Sequence, residues 1–206
     1  MIIKKLSEFT NKDYKILLVD PPWSYDNKKT GGTHMISAAC ENYNTMSLEE
    51  IKILPISNIS SKDSCLFLWA TTPLLPEAFE VMNAWGFSYK TAIYWRKIMS
   101  LGMGFWFRGQ VEVCLFGIRG KIPAFHCQKA NFIQTNVREH SRKPDHLYGL
   151  IEEISRKFNL NPKIELFARQ KREGWDAWGN QLPEDTQRLL GDSVQLPLKV
   201  VAKQPL

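Results

Sequence analysis

Four consecutive residues, Asp20-Pro21-Pro22-Trp23, join an acid, two residues without a backbone N–H and a large flat ring. They follow the apolar run YKILLV at 14–19, so Asp20 falls where a buried strand would end. Pro21 and Pro22 fix φ and stop the backbone from extending its ladder. They keep their carbonyls, and with no N–H to form turns of their own those carbonyls can point into a cleft. An ionised carboxylate beside a rigid carbonyl suits a group with two N–H donors, such as the exocyclic amine of a base. Trp23, with Tyr25 close by, offers a surface on which a base could stack. An isolated Asp-Pro more often just starts a turn; here its place between a buried run and a long polar loop argues for more.

A second group closes the run KIELFA at 163–168. Glu165, Phe167 and Arg169 stand at its end, and Trp175, Asp176, Trp178 and Gly179-Asn180-Gln181 follow. An acid at a strand end can hold ribose or amine donors, and Arg, Asn and Gln nearby can take hydroxyls and a carboxylate. The plain alternative is a strand followed by a basic surface loop. Two tryptophans and an Asn-Gln pair in so short a loop argue against it. In a third group, Ser141-Arg142-Lys143-Pro144-Asp145, Lys143 lies just before a helix that Pro144 opens. A helix N-terminus favours an anion, and a lysine there adds to it. A cofactor carboxylate would fit; the alternative is an ordinary basic cap.

Five strand-like runs must position these groups, at 14–20, 65–71, 89–95, 111–118 and 163–168, with a short sixth at 131–135. Several are continuously apolar, as strands buried on both faces are. Three helices are predicted. Residues 47–54 open with a capping box, Ser47 and Glu50. Pro73–Trp85 ends at Gly86, and Lys143–Phe158 carries Leu147, Leu150, Ile151, Ile154 and Phe158 on one face. The alternation predicts an α/β fold, a largely parallel sheet with helices on both faces, whose ligands bind outside the carboxyl ends of the strands. Long connections at 24–46, 96–109 and 119–141 are read as binding loops. Residues 1–182 are expected to form one domain and 183–206 a C-terminal tail.

Lys and Arg outnumber Asp and Glu by 27 to 21, an excess that suits an anionic partner without requiring one. Cys40, Cys65, Cys114 and Cys127 are scattered. No pair has zinc spacing, so no metal is expected, and single cysteines in apolar runs fit reduced thiols and a cytoplasmic protein. No segment approaches the length of a membrane span, and the N-terminus lacks the apolar core of a signal peptide.

Taken together, the pieces DPPW (20–23), ENYNTMS (41–47), LFLWAT (66–71), WGFSYKTAIYWRK (85–97), GFWFRGQVEVCLFGIRG (104–120), REHSRKPDHLYGLIE (138–152) and IELFAR…GWDAWGNQL, in this order, resemble the MT-A70-like adenine N6-methyltransferases, most of all the prokaryotic and phage members. The resemblance implies a Rossmann-like methyltransferase fold with permuted motif order and S-adenosylmethionine as cofactor. It assigns Asp20 and Pro21 to the target amine, with Pro22 completing the turn and Trp23 bordering the base. Tyr25, Tyr43, Trp69, Trp106, Arg108 and Glu112 are expected around the substrate. Lys143 is carried to the methionine carboxylate of the cofactor. Asp20, Glu165, Phe167, Arg169, Asn180 and Gln181 complete the expected cofactor site. Lys171 and Arg172 depart from the messenger-RNA enzyme, which has a His and an Asn there.

The implied reaction is methyl transfer to adenine N6 in DNA. RNA as the substrate is one alternative; a non-catalytic nucleic-acid-binding subunit is another, against which an intact DPPW, Lys143 and Asn180 argue. A Ser or Thr would more commonly precede the two prolines in a cytosine enzyme. Lys28, Lys29, Arg96, Lys97, Arg108, Arg119, Lys121, Arg138 and Arg142 are expected to hold phosphates. Size alone suggests a homodimer or an accessory subunit.

Overall fold

The computed structural model describes residues 12–24, 45–98, 106–138, 142–180 and 182. The elements are β1 (Tyr14–Val19), α1 (Leu48–Lys52), α2 (Ile56–Ile59), β2 (Ser60–Thr71), a 3-10 turn (Thr72–Leu74), α3 (Leu75–Ala84), β3 (Ser88–Ile98), β4 (Val111–Arg119), β5 (Phe132–Asn136), α4 (Asp145–Phe158), β6 (Lys163–Leu166) and β7 (Asp176–Trp178). The strands form one sheet in the order β5-β3-β4-β2-β1-β6-β7. β1 runs parallel to β2 and β6, β3 to β5, and β6 to β7; β4 is antiparallel to both its neighbours. Six strands therefore share one direction and β4 alone is reversed, which agrees with the largely parallel sheet expected.

Side-chain alternation along the strands builds two cores. Leu17, Val19, Leu66, Leu68, Val113, Leu115, Ile164 and Leu166 pack on one face with Ile51, Ile56, Val81 and Met82 from α1–α3. Ile16, Leu18, Phe67, Trp69, Ile93, Trp95, Cys114 and Phe116 pack on the other with Leu147, Ile151 and Ile154 of α4. The continuous apolar runs are thus strands covered on both sides. Burying each such large side chain contributes roughly 1.5–3 kcal/mol. Among the described residues, no helix is long and apolar enough to cross a membrane.

Ser47 caps α1 in the predicted capping box. Gly86 closes α3 with φ +80°, and the N–H groups of Gly86 and Phe87 fold back onto the carbonyls of Asn83 and Met82; a Cβ would disfavour that backbone. The helix expected over Pro73–Trp85 divides into the 3-10 turn and α3, with Pro76 in the first turn of α3. β2 begins at Ser60, ahead of its apolar run, and β5 spans Phe132–Asn136, close to the short strand expected at 131–135. β6 stops at Leu166 because Phe167 turns to φ +61°. β7 was not anticipated: three residues carry no readable period. The loop expected at 24–46 and the tail at 183–206 lie almost wholly outside the described residues.

Candidate active site

Strand register brings the acids together. Leu18 and Val19 of β1 pair with Glu165 and Leu166 of β6, so Asp20 leaves the sheet beside Glu165. Asp20 follows Leu18 by two positions and shares its face, the one covered by α4. Glu112 opens β4 opposite Thr71 of β2 and Trp95 of β3. The reversal of β4 therefore delivers its first residues to the same edge at which the other strands end. Lys143, just before α4, reaches over this edge.

The Lys143 ammonium lies 2.9 Å from Asp20 Oδ2 and 3.1 Å from Glu112 Oε2, 5.4 Å above the centre of the Trp69 ring. Lys97 pairs with the other oxygen of Glu112 and lies 5.2 Å from the centre of Trp95. Cations and carboxylates alternate along Lys97, Glu112, Lys143 and Asp20. Burial pushes the Asp20 carboxyl above its ordinary pKa; Lys143 opposes that and the Glu112 charge reinforces it. Burial pushes Glu112 the same way, but the Lys143 and Lys97 ammoniums outweigh it and hold Glu112 below its ordinary value. Burial disfavours the Lys143 ammonium, and its two carboxylates more than compensate, raising its pKa.

The Asp-Pro-Pro-Trp turn is clamped from behind. The Pro22 carbonyl accepts from Met46 N–H at 2.8 Å, the Pro21 carbonyl from Trp23 N–H at 2.9 Å, and Ser24 N–H donates to the Met46 carbonyl. Both proline carbonyls are therefore engaged, Pro21 within the turn and Pro22 by Met46, contrary to the expectation that they are free to point into the cleft; Pro21 keeps a second lone pair for a ligand. Trp23 also differs from expectation. It is only 8% exposed, its ring sits in the α1–α3 core, and its indole N–H donates to the Trp69 carbonyl at 3.0 Å. It anchors the turn rather than offering an open stacking face.

Asp20, Trp69, Lys143, Tyr148, Glu165, Phe167, Arg169 and Arg172 line an open cleft of about 190 Å³. Tyr148 Oη donates to Glu165 Oε1 at 2.7 Å. Glu165 Oε2 and Trp69 Nε1 are buried without partners. The Arg172 guanidinium lies 3.6 Å from the centre of the Tyr148 ring and 2.9 Å from Asp145, which also binds Arg138 at 2.6 Å. Gly179 passes against the strand end: a Cβ there would lie 2.2 Å from the Ala168 carbonyl oxygen, so only glycine permits this approach of the loop that carries Asn180.

Of the expected site residues, Asp20, Pro21, Trp69, Glu112, Lys143, Glu165, Phe167 and Arg169 come to this edge. Trp106 is 88% exposed. Neither it, Arg108 nor Asn180 lines the cleft. Tyr25, Tyr43 and Gln181 lie outside the described residues. Arg119 and Lys121, expected to hold phosphates, sit at the opposite edge because β4 is reversed. There Arg119 donates to the Ser57 carbonyl and the Lys121 N–H to Asp63. Lys97, expected to hold phosphates, pairs with Glu112 at the site; sequence reasoning overlooked Tyr148 and Arg172 as members of it. Tyr148 alone left a readable sign, a polar tip in the first turn of the helix that follows Lys143.

A largely parallel sheet covered on both faces, with acids converging at its carboxyl edge, has the Rossmann-like layout of an α/β methyltransferase. The chain belongs to the MT-A70 family, whose model matches residues 14–181. It is 32% identical over 194 residues to the Type II methyltransferase M.MunI of Mycoplasma sp, covering 86% of this chain and 82% of that protein. It is 31% identical to the human N(6)-adenosine-methyltransferase catalytic subunit METTL3 over 82% of this chain and 28% of that protein. Identity is also 31% to an N(6)-adenosine-methyltransferase MT-A70-like protein of Arabidopsis thaliana, over 82% of this chain and 24% of that one.

Proposed function

We propose that this chain methylates the N6 amino group of adenine in DNA, with S-adenosylmethionine as donor. The observation that carries the reading is the Asp20 carboxylate at the cleft mouth, beside a clamped proline turn and 2.9 Å from a buried lysine. The kinship with a Type II methyltransferase over most of both chains favours DNA.

The residues present fit the donor. The buried, unpartnered Glu165 Oε2 suits ribose hydroxyls, and Phe167 offers an apolar wall. Lys143 has three N–H donors and gives two to carboxylates, leaving one for the carboxylate of the donor. When bound, the donor supplies an electrophilic methyl group on a sulfonium sulfur.

The chain's own work is on the amine. An adenine amine is a weak nucleophile because its lone pair is delocalised into the ring. One N6–H donates to Asp20 and the other to the remaining lone pair of the Pro21 carbonyl, which draws the lone pair back onto nitrogen. Once it had received the methyl group that the bound donor would supply, N6 would be cationic, and Asp20 would take one of its protons. Lys143 and Glu112 fix the carboxylate for this, and holding both reactants in line supplies much of the acceleration. The base must leave its stack to reach the cleft.

The test is transfer of labelled methyl to adenine-containing oligonucleotides beside Asp20→Ala. Label on DNA adenine N6 that vanishes in the variant is expected. A second reading, RNA as substrate, rests on the 31% identity to the human and Arabidopsis adenosine methyltransferases; label on RNA alone would establish it. Cofactor binding with no transfer to any oligonucleotide would leave the non-catalytic subunit.

A further inference from the structure

Glu165 is served from one side only. Tyr148 donates to Oε1 at 2.7 Å, while Oε2 is buried with no partner among the described residues and the residue lines the cleft. Tyr148 is itself held from the far side. The Arg172 guanidinium lies flat enough on its ring to put Cζ 3.6 Å from the centroid. Asp145, at the first turn of α4, fixes that guanidinium with a 2.9 Å ion pair and is steadied by Arg138 at 2.6 Å. One face of the Tyr148 ring is thus covered by a planar cation, and its edge meets Trp175, whose ring centre is 5.9 Å away at 72°. A tyrosine packed in this way has its hydroxyl aimed in one direction, and that direction is Glu165.

We infer that Tyr148, backed by Arg172 and Asp145, is a positioning residue that presents Glu165 as a one-sided acceptor for a vicinal diol, the ribose of the cofactor. The inference rests on the cofactor assignment proposed above. The chemistry runs through the carboxylate. An ionised Glu165 accepts from Tyr148 on one oxygen and from ligand hydroxyls on the other. Without the Tyr148 hydroxyl, Oε1 becomes a second open acceptor. The carboxylate can then rotate away from the diol, and it loses a hydrogen bond that favours its charged form. Burial already pushes the Glu165 carboxyl above its ordinary pKa against the help of Tyr148, so removing the hydroxyl favours protonation further. Arg172 acts in two ways: its guanidinium lies over the ring, which a lysine does not imitate, and its charge also favours the ionised Glu165 directly, against the opposing charge of Asp20.

The test is calorimetric binding of S-adenosylhomocysteine to the full chain, from about pH 5 to about pH 8, with adenosine and 2′,3′-dideoxyadenosine as a diol probe. Tyr148→Phe is expected to weaken binding about tenfold near neutrality. Its affinity should fail at a higher pH than the native protein's as acid is added, and its preference for the diol should shrink. Arg172→Lys should shift the same three readouts less. On a Glu165→Gln background Tyr148→Phe should add nothing, because its effect passes through that carboxylate. An additive effect there, or a folded Tyr148→Phe with the native pH profile and diol preference, overturns the inference. Should Tyr148→Phe not fold, Arg172→Lys decides by the same readouts. If the native protein binds none of the adenosine compounds, the cofactor assignment itself falls.

Discussion

Lys143 and Asp20, one just before a helix and the other just past a strand, meet at 2.9 Å where the sheet ends. The lysine also holds Glu112 at 3.1 Å, so a single ammonium ties β1 to β4 across the intervening β2. Two partly buried carboxylates on one cation make a site in which each charge sets the state of the others.

Removing that cation should cost both fold and chemistry. Lys143→Met leaves the partly buried Asp20 and Glu112 with one fewer counter-charge, and stability should fall, by less than the about 3–5 kcal/mol typical of a fully buried pair. Urea unfolding of Lys143→Met beside Lys143→Met/Glu112→Gln gives the check. The double variant should recover part of the loss, since it no longer buries two neighbouring acids. A Lys143→Met protein as stable as the native one would contradict the cluster.

The amine acceptor should be separable from stability. Asp20→Asn removes a carboxylate whose charged form is penalised by burial, while Lys143 keeps Glu112. Single-turnover methyl transfer should fall roughly 100- to 1,000-fold, and thermal melting should stay at or above the native value. A melting temperature well below native would mean that Asp20 is chiefly structural.

Activity should have an acid limb set by Asp20. Its folded pKa is raised, so the reactive carboxylate is lost as pH falls through a value above the ordinary 3.8 for aspartate. Glu112→Gln removes a neighbouring negative charge and should move that limb to lower pH. Stability responds in opposite senses at the two acids. Asp20 is raised, so its contribution becomes less favourable as pH rises from its unfolded toward its folded pKa. Glu112 is lowered, so its contribution is fully present above its unfolded value and is lost as pH falls through its folded one. A pH–rate profile unchanged in Glu112→Gln would disconnect the two carboxylates.

The turn behind Asp20 should be sensitive to one hydrogen. Trp23→Phe keeps most of the buried ring but leaves the Trp69 carbonyl without its 3.0 Å donor, a loss of about 1–3 kcal/mol in a buried setting. Denaturant midpoints measure this. Because the turn carries Asp20 and Pro21, the apparent affinity for the oligonucleotide should weaken as well.

Gly179 offers a sharper case. Ala at this position would put a methyl carbon 2.2 Å from the Ala168 carbonyl oxygen, so the loop carrying Asn180 must move. Gly179→Ala should lower cofactor affinity, read by calorimetry, and melt earlier. A native-like Gly179→Ala would mean that the chain can shift there freely.

The parts of the site that lie on regular elements were legible in the sequence. Asp20 and Glu165 end apolar runs, Lys143 precedes an amphipathic helix, and the Ser47 capping box and Gly86 closure follow local rules. Glu112 could be matched to a family position, but its place in the middle of a charge chain could not be read, since that depends on β4 running backwards. The same reversal places Arg119 and Lys121 at the edge away from the cleft, which the sequence could not show. Trp23 was misread because an aromatic after a proline turn looks alike whether it faces solvent or core. The Arg172–Tyr148 stack joins two elements brought together by tertiary packing, and no local pattern announces it.

The pairing of Leu18 with Glu165 and of Val19 with Leu166 has a thermal consequence. Glu165 lies on β6 and Asp20 just past the end of the adjacent β1, two interior strands of the sheet, and their separation is set by the interstrand spacing rather than by a hinge. Strands of this kind open only when the whole molecule opens. Loss of cofactor binding on heating should therefore coincide with global melting instead of preceding it, and the enzyme's upper working temperature would be the temperature at which its sheet comes apart.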